Sequence, residues 1–89
     1  MDDASYPSIV VLGRDTCEDT VRSRAHLAAL GIPHRYRNVE LEPEADTLIR
    51  SYNDGEWKTP TILIGDPTAP SIVLREPSDD ELDAAIARA

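Results

Sequence analysis

Eighty-nine residues suffice for one compact domain with a modest core, built from Val, Ile, Leu and Ala because Phe is absent. A net charge of -8 repels polyanions and argues against nucleic acid or anionic membranes as partners. No apolar stretch approaches the roughly 20 residues that cross a bilayer, and a single cysteine cannot close an internal disulfide, which suits a reducing cytoplasm.

Residues 1–7 are acidic and aperiodic, lack the basic and apolar regions of a signal peptide, and read as a loose leader to one domain over 1–89. Residues 8–12 form a continuous β-branched apolar run, expected as a central strand buried on both faces, and Gly13 ends it. A helix is expected from about Cys17, with Thr16 as N-cap and Asp19 three residues on, close to a capping box. Its apolar stripe is Val21, Ala25, Ala28 and Leu30, its outward side Arg22, Arg24 and His26, and Gly31 stops it before Pro33. Residues 34–40 alternate around Tyr36 and Val39 as a second strand. Pro43 opens a second helix through Leu48, Ile49 and Tyr52, which Asn53-Asp54-Gly55 closes.

Residues 60–64 read as a third strand, and the breaker-rich segment 65–70 turns the chain into residues 71–74 as an antiparallel hairpin. Ser78-Asp79-Asp80-Glu81 is a capping box that leads into Leu82, Ala85, Ile86 and Ala89. Strands separated by helices favour parallel pairing through right-handed crossovers. The order βαβαββα therefore predicts an α/β domain with a four-stranded mixed sheet and helices on both faces.

The cysteine stands at the first strand-to-helix joint. Unsatisfied helix N–H groups and the positive end of the helix dipole favour a thiolate there, although an inert small residue fits the local pattern too. His26 and His34 show no ligand spacing with Cys17, so no metal site is expected. A cysteine protease would need a convergent His and an orienting third group, and nothing points to one. Trp57 reads as a rim or packing residue ahead of a ligand platform.

Three features in this order carry a resemblance: Cys17 at the joint, Thr59-Pro60 opening the third strand, and the Ser78-Asp79-Asp80 helix start. Over residues 8–88 the chain resembles small glutaredoxins of the thioredoxin superfamily. Tyr52-Asn53-Asp54-Gly55, Pro60-Thr61 and Glu76-Pro77-Ser78-Asp79-Asp80-Glu81 are most similar to mycoredoxin-type members. The resemblance implies a thioredoxin-like fold, a cis Thr59–Pro60 bond facing Cys17, and a Thr59 backbone free to pair with a peptide-like substrate. It also implies that Arg14, Lys58, Thr59 and the Ser78-Asp79 helix terminus hold a low-molecular-weight thiol, with Glu18, Thr20 and Pro60 lining the same site.

The departures define the chemistry expected. Dithiol members carry two cysteines separated by two residues, the second resolving a mixed disulfide. In Cys17-Glu18-Asp19-Thr20 the resolving position holds Thr20, so a second thiol molecule, glutathione or mycothiol, must act as cosubstrate. The Cys-Gly-Phe-Ser pattern of cluster-binding monothiol glutaredoxins is absent. A carboxylate about 6 Å from the sulfur disfavours thiolate by roughly 1.4 kcal/mol, and the helix terminus returns about 0.3–1 kcal/mol. Arg14 and Lys58 could supply the rest, which leaves the net direction open. Glu18 and Asp19 either select substrate or cap the helix.

The leading expectation is thus a monomeric monothiol oxidoreductase without bound cofactor, acting on a protein disulfide or thiol-containing small molecule. The alternatives are a redox-inactive binding module of the same fold and an iron–sulfur cluster carrier.

Overall fold

Ile9–Gly13 lacks the alternation of a half-exposed strand because it has no solvent face: all five residues are buried. In the computed structural model, which describes residues 6–89, this segment is β1, an inner strand of a four-stranded sheet. Most of the expected leader, residues 1–5, lies outside the described residues. The remaining elements are α1 (Glu18–Ala29), β2 (Arg35–Asn38), α2 (Pro43–Ser51), β3 (Thr61–Asp66), β4 (Ala69–Arg75) and α3 (Asp79–Arg88). The sheet order is β2-β1-β3-β4, with β2 parallel to β1, β3 antiparallel to β1, and β4 antiparallel to β3.

The expected βαβαββα order and mixed sheet are present. Parallel crossover pairing, however, applies only to β1 and β2. Asn38 pairs with Gly13 and Thr61 with Leu12, so the connection through α2 begins and finishes at the same end of the sheet. The strand that follows must then run back antiparallel to β1.

Alternate residues of the inner strands feed two cores. Ile9, Val11, Ile62 and Ile64 pack with Leu27 of α1 and Leu82 and Ala85 of α3. Val10, Leu12 and Leu63 pack on the other face with Ala45 and Ile49 of α2. Each such Leu or Ile contributes about 1.5–3 kcal/mol when fully buried.

Two expectations for α1 are corrected. Its inward residues are Thr20, Ser23 and Leu27, whereas Val21 and Leu30 are half exposed and Ala25 and Ala28 face outward. The expected stripe differs because two small hydroxyl residues, polar by type, are fully buried, Thr20 lying where Gly13 has no side chain. The N-cap is Cys17 itself and not Thr16, whose Oγ1 instead accepts from Arg14 Nη1 at 3.3 Å.

The helix ends in a Schellman motif. Ile32 N–H donates to Leu27 O and Gly31 N–H to Ala28 O, both at 3.0 Å, with Gly31 at φ +68°. The capping box of α3 is present: Glu81 N–H donates to Ser78 Oγ at 3.1 Å and Ser78 N–H to Glu81 Oε1 at 2.8 Å. The hairpin is tighter than expected, since Asp66 and Ala69 already pair and leave only Pro67 and Thr68 between them. Among the described residues no helix is long and apolar enough to cross a membrane.

Candidate active site

The chain leaves β1 at Gly13 and turns through residues 14–17, where Cys17 N–H donates to Arg14 O at 3.2 Å. Asp15 in this turn is tied outward: Tyr36 OH donates to its Oδ1 at 2.8 Å, and Arg24 lies 3.8 Å from the same oxygen. The Arg24 guanidinium also stacks 3.7 Å from the Tyr36 ring centroid. Burial, followed by the bond to Asp15, pushes the Tyr36 phenol up to about 12, so it stays a donor at neutral pH. Sequence reading took Tyr36 only as a strand anchor, and its role in holding the turn carries no local signature.

Cys17 then sits at the helix N-cap with extended backbone, φ -92° and ψ 120°, and is partly buried. Its Sγ donates to the Thr59 carbonyl at 3.3 Å. The Thr59–Pro60 peptide is cis, and both residues are buried. In the thiol form α1 has no side-chain cap. An N-cap acceptor ordinarily takes the N–H groups two and three residues on. A thiolate at Cys17 faces the equivalent donors of Asp19 and Thr20.

The direction left open by the charges is downward from the ordinary thiol value. Burial alone pushes the thiol up and is the largest single influence. The hydroxyls of Thr20 and Thr59 and the backbone N–H groups of Thr20 and Asp19 together outweigh it, bringing Cys17 below the ordinary thiol value.

The Asp19 carboxylate adjoining the thiol is engaged by Arg22, whose Nη1 donates to Oδ1 at 2.7 Å. The same guanidinium donates from Nη2 to Pro77 O at 3.1 Å and lies 3.6 Å from Asp79 Oδ1. Arg22, expected to face outward, thus clamps the start of α1 to the start of α3. The three-residue spacing to Asp19 signals the first contact, but only the fold brings Pro77 and Asp79 to it.

The approach to Thr59 is held by a second network absent from the sequence reading. The buried Asn53 donates from Nδ2 to Ile49 O at 2.8 Å and to Thr61 Oγ1 at 3.1 Å. Thr61 Oγ1 in turn donates to Lys58 O at 2.6 Å, while Arg75 Nε donates to Asn53 Oδ1 at 3.1 Å. Trp57 packs on the α2 core and donates from Nε1 to Asp46 Oδ1 at 2.7 Å, which fits its reading as a packing residue.

Cys17, Thr20 and Thr59 come together, with Pro60 following in the chain. Glu18 is exposed at the first helical position, and the Lys58 side chain is exposed with no ion pair among the described residues. Ser78, at the helix terminus expected to hold the small thiol, forms the capping box with Glu81, and the Asp79 side chain faces Arg22 and His26. A cleft of about 240 Å³ lined by Ser8, Val10, Arg35, Arg37, Leu48, Leu63 and Pro67 opens at the opposite end of the sheet, away from the thiol. Among the described residues no group of three His, Cys, Asp or Glu side chains is placed to hold a metal ion.

No protein-family model matches the sequence, and no curated protein matches it. Solved structures do. The solution structure of a glutaredoxin from Brucella melitensis aligns with TM-score 0.62 and 21% identity, covering 96% of this chain and 84% of that one. The crystal structure of a glutaredoxin from Archaeoglobus fulgidus aligns with TM-score 0.69 and 18% identity, covering 98% and 92%. The architecture is therefore the thioredoxin-like fold that these two glutaredoxins share.

Proposed function

We propose that the chain is a monothiol glutaredoxin-like oxidoreductase that removes low-molecular-weight thiols from protein mixed disulfides. The observation that carries this reading is Cys17 at the α1 N-cap, its sulfur 3.3 Å from Thr59 O at the approach to β3 and its thiol held below the ordinary value.

In the first step the Cys17 thiolate attacks the small-thiol sulfur of a mixed disulfide. The old S–S bond breaks, the protein thiolate leaves and takes a proton, and a disulfide forms between Cys17 and the small thiol. A second molecule of that thiol, as thiolate, then attacks its twin. The small-molecule disulfide departs carrying the oxidation, and Cys17 leaves as thiolate.

When the sulfur turns to substrate, the Thr59 carbonyl loses the thiol proton and can accept a peptide N–H from the small thiol. Arg14, Lys58 and the N–H groups of Asp79 and Asp80 would meet its carboxylates. Both glutathione and mycothiol offer an amide N–H for Thr59 O, but only glutathione carries carboxylates for the basic groups, whereas the likeness of residues 52–61 and 76–81 to mycoredoxins favours mycothiol. A single free thiol suits the reducing cytoplasm, and the reaction needs only a monomer.

The test is reduction of a mixed disulfide with glutathione and mycothiol as separate donors. Turnover with one donor, lost in a folded Cys17→Ser variant, is expected. Inactivity with both would overturn the proposal and leave the binding module and the iron–sulfur cluster carrier as the readings of the fold.

A further inference from the structure

The cleft at the end of the sheet away from Cys17 has no part in the proposed reaction, and its walls are chemically mixed. Side chains along a strand alternate between the two faces of a sheet. Arg35 pairs in register with Val10 and Arg37 with Leu12, so both arginines lie on the face of the second core, while Tyr36 packs on the other. α2 crosses only the thiol half of that face. It starts beside Arg37, whose Nε donates to Glu42 Oε1 at 3.0 Å, and finishes at Tyr52, whose carbonyl accepts from Arg75 Nη2 at 2.8 Å. Arg75 pairs with Thr61 and Thr61 with Leu12, which places both ends of the helix near the thiol end of the sheet. The half of the face behind it is left as a cleft of about 240 Å³.

Val10, Leu48, Leu63 and Pro67 supply the apolar walls of this cleft, and Arg35 and Arg37 are the only charged residues that line it. Two guanidinium groups two residues apart on one strand face repel each other. Glu42 counters Arg37, and Glu44 Oε1 lies 4.0 Å from the same group. Arg35 is exposed and has no carboxylate within ion-pair distance among the described residues. The chain holds 17 acidic residues against 9 basic ones, so carboxylates to balance a second arginine are not scarce. An under-countered pair of cations beside an apolar hollow is complementary to an anion with an apolar body.

We propose that this cleft is a binding site for a small carboxylate with an apolar body. The carboxylate pairs with Arg35, Arg37 adds positive field from the same wall, and the body covers Leu48, Val10 and Leu63. The volume lies below the roughly 300–1,000 Å³ of pockets for drug-sized ligands, which limits the body to a short chain or a single ring. Cations are repelled by both arginines, and a bare inorganic anion leaves the apolar walls uncovered. Nothing in the site involves Cys17, so the proposal goes beyond the thiol chemistry.

The test is titration of the isotope-labelled full chain with hexanoate, followed through backbone amide shifts, with acetate and hexylamine as controls. Hexanoate should give saturable shifts centred on Val10, Arg35, Arg37, Leu48 and Leu63, and none at Cys17. Acetate, which has no body to bury, should bind roughly tenfold more weakly, the weight of two buried methylenes. Hexylamine should give no saturable shift. Arg35→Gln changes an exposed residue that the core does not use, and should raise the hexanoate Kd about tenfold, the weight of one charge-assisted hydrogen bond. Shifts that fail to saturate, that are the same with hexylamine, or that persist unchanged in Arg35→Gln would overturn the proposal and leave the arginines as guards of the β2 edge. Cys17→Ser should bind hexanoate with the native Kd, which keeps this result separate from the fate of the proposed function.

Discussion

The sulfur of Cys17 and the carbonyl of Thr59, 42 residues apart in the chain, meet at 3.3 Å across the end of the sheet. The contact joins two segments that the core does not itself position: the turn after β1 and the stretch before β3. The turn is tied to β2 and α1 through Asp15, Tyr36 and Arg24. The stretch before β3 is tied to α2 and β4 through Asn53, Thr61 and Arg75. The geometry of the thiol is thus set by polar networks lying one step away from it.

Asn53→Ala should test the second network. It strips Thr61 Oγ1 of one donor and leaves the Ile49 carbonyl without its side-chain partner. A buried network broken on one side typically costs about 1–3 kcal/mol. Urea unfolding should show that loss, and mixed-disulfide reduction should fall further than the unfolded fraction explains, because Lys58 and Thr59 are no longer held. Native stability in the variant would remove Asn53 from the site's supports.

Gly13→Ala should be more damaging than a surface exchange of the same size. The added Cβ meets Thr20 at 2.5 Å, both partners are buried, and overpacking of this kind costs about 1–3 kcal/mol. Adding Thr20→Ala should recover most of the loss, since the clash lies with Oγ1 and Cγ2. Additive destabilisation in the double variant would show that the two residues do not share this space.

The same pair shows what could be read from the sequence and what could not. The buried strands, the capping box at Ser78 and the helix stop at Gly31 were legible because local pattern and local chemistry determine them. Cys17 and Thr59-Pro60 were legible as parts of a resemblance. The inward face of α1 was misread because hydroxyl residues were counted as polar, whereas Gly13 leaves a gap that only a small side chain fills. Arg22, Asn53 and the Tyr36–Asp15 pair went unseen, since their partners are brought to them only by tertiary folding.

His26 gives the fold a pH dependence with a definite sign. Its Nε2 lies 2.7 Å from Asp83 Oδ1 and its Nδ1 3.6 Å from Asp79 Oδ2, and the Asp83 hydrogen bond is the main cause of its raised pKa. Asp79 and Asp80 also favour the charged ring, and Arg22 shares Asp79 with it. A raised folded-state pKa contributes stability that is fully present below the ordinary value of about 6.5 and is lost as pH rises through the raised value. Cys17, with a lowered pKa, contributes in the opposite direction at higher pH, so the measurement belongs in a Cys17→Ser background. There the denaturation midpoint should fall from about pH 6.5 upward, and His26→Gln should flatten the decline. An equal slope with and without His26 would show that the pair adds nothing to α1–α3 docking.

Thr20→Cys should convert the site from monothiol to dithiol chemistry. Cys17 is the extended N-cap and residue 20 the third helical position, a pair whose side chains approach closely wherever a capping box forms. A disulfide accepts Cα separations up to about 6.8 Å and needs Cβ atoms about 3.5–4.5 Å apart. The first turn, not yet held by a full set of internal bonds, can tighten by that amount. In the variant a disulfide between Cys17 and a small thiol should be resolved from within. The new thiol loses its proton and attacks Cys17 Sγ, the small thiol leaves, and the 17–20 bond forms. Mass spectrometry of oxidised, unreduced samples should find that internal bond, whereas the native protein under the same treatment gives only dimers or mixed disulfides. Turnover in the variant should correspondingly show a weaker dependence on donor-thiol concentration. If it keeps two free thiols, or cross-links only between molecules, residue 20 does not lie under the sulfur.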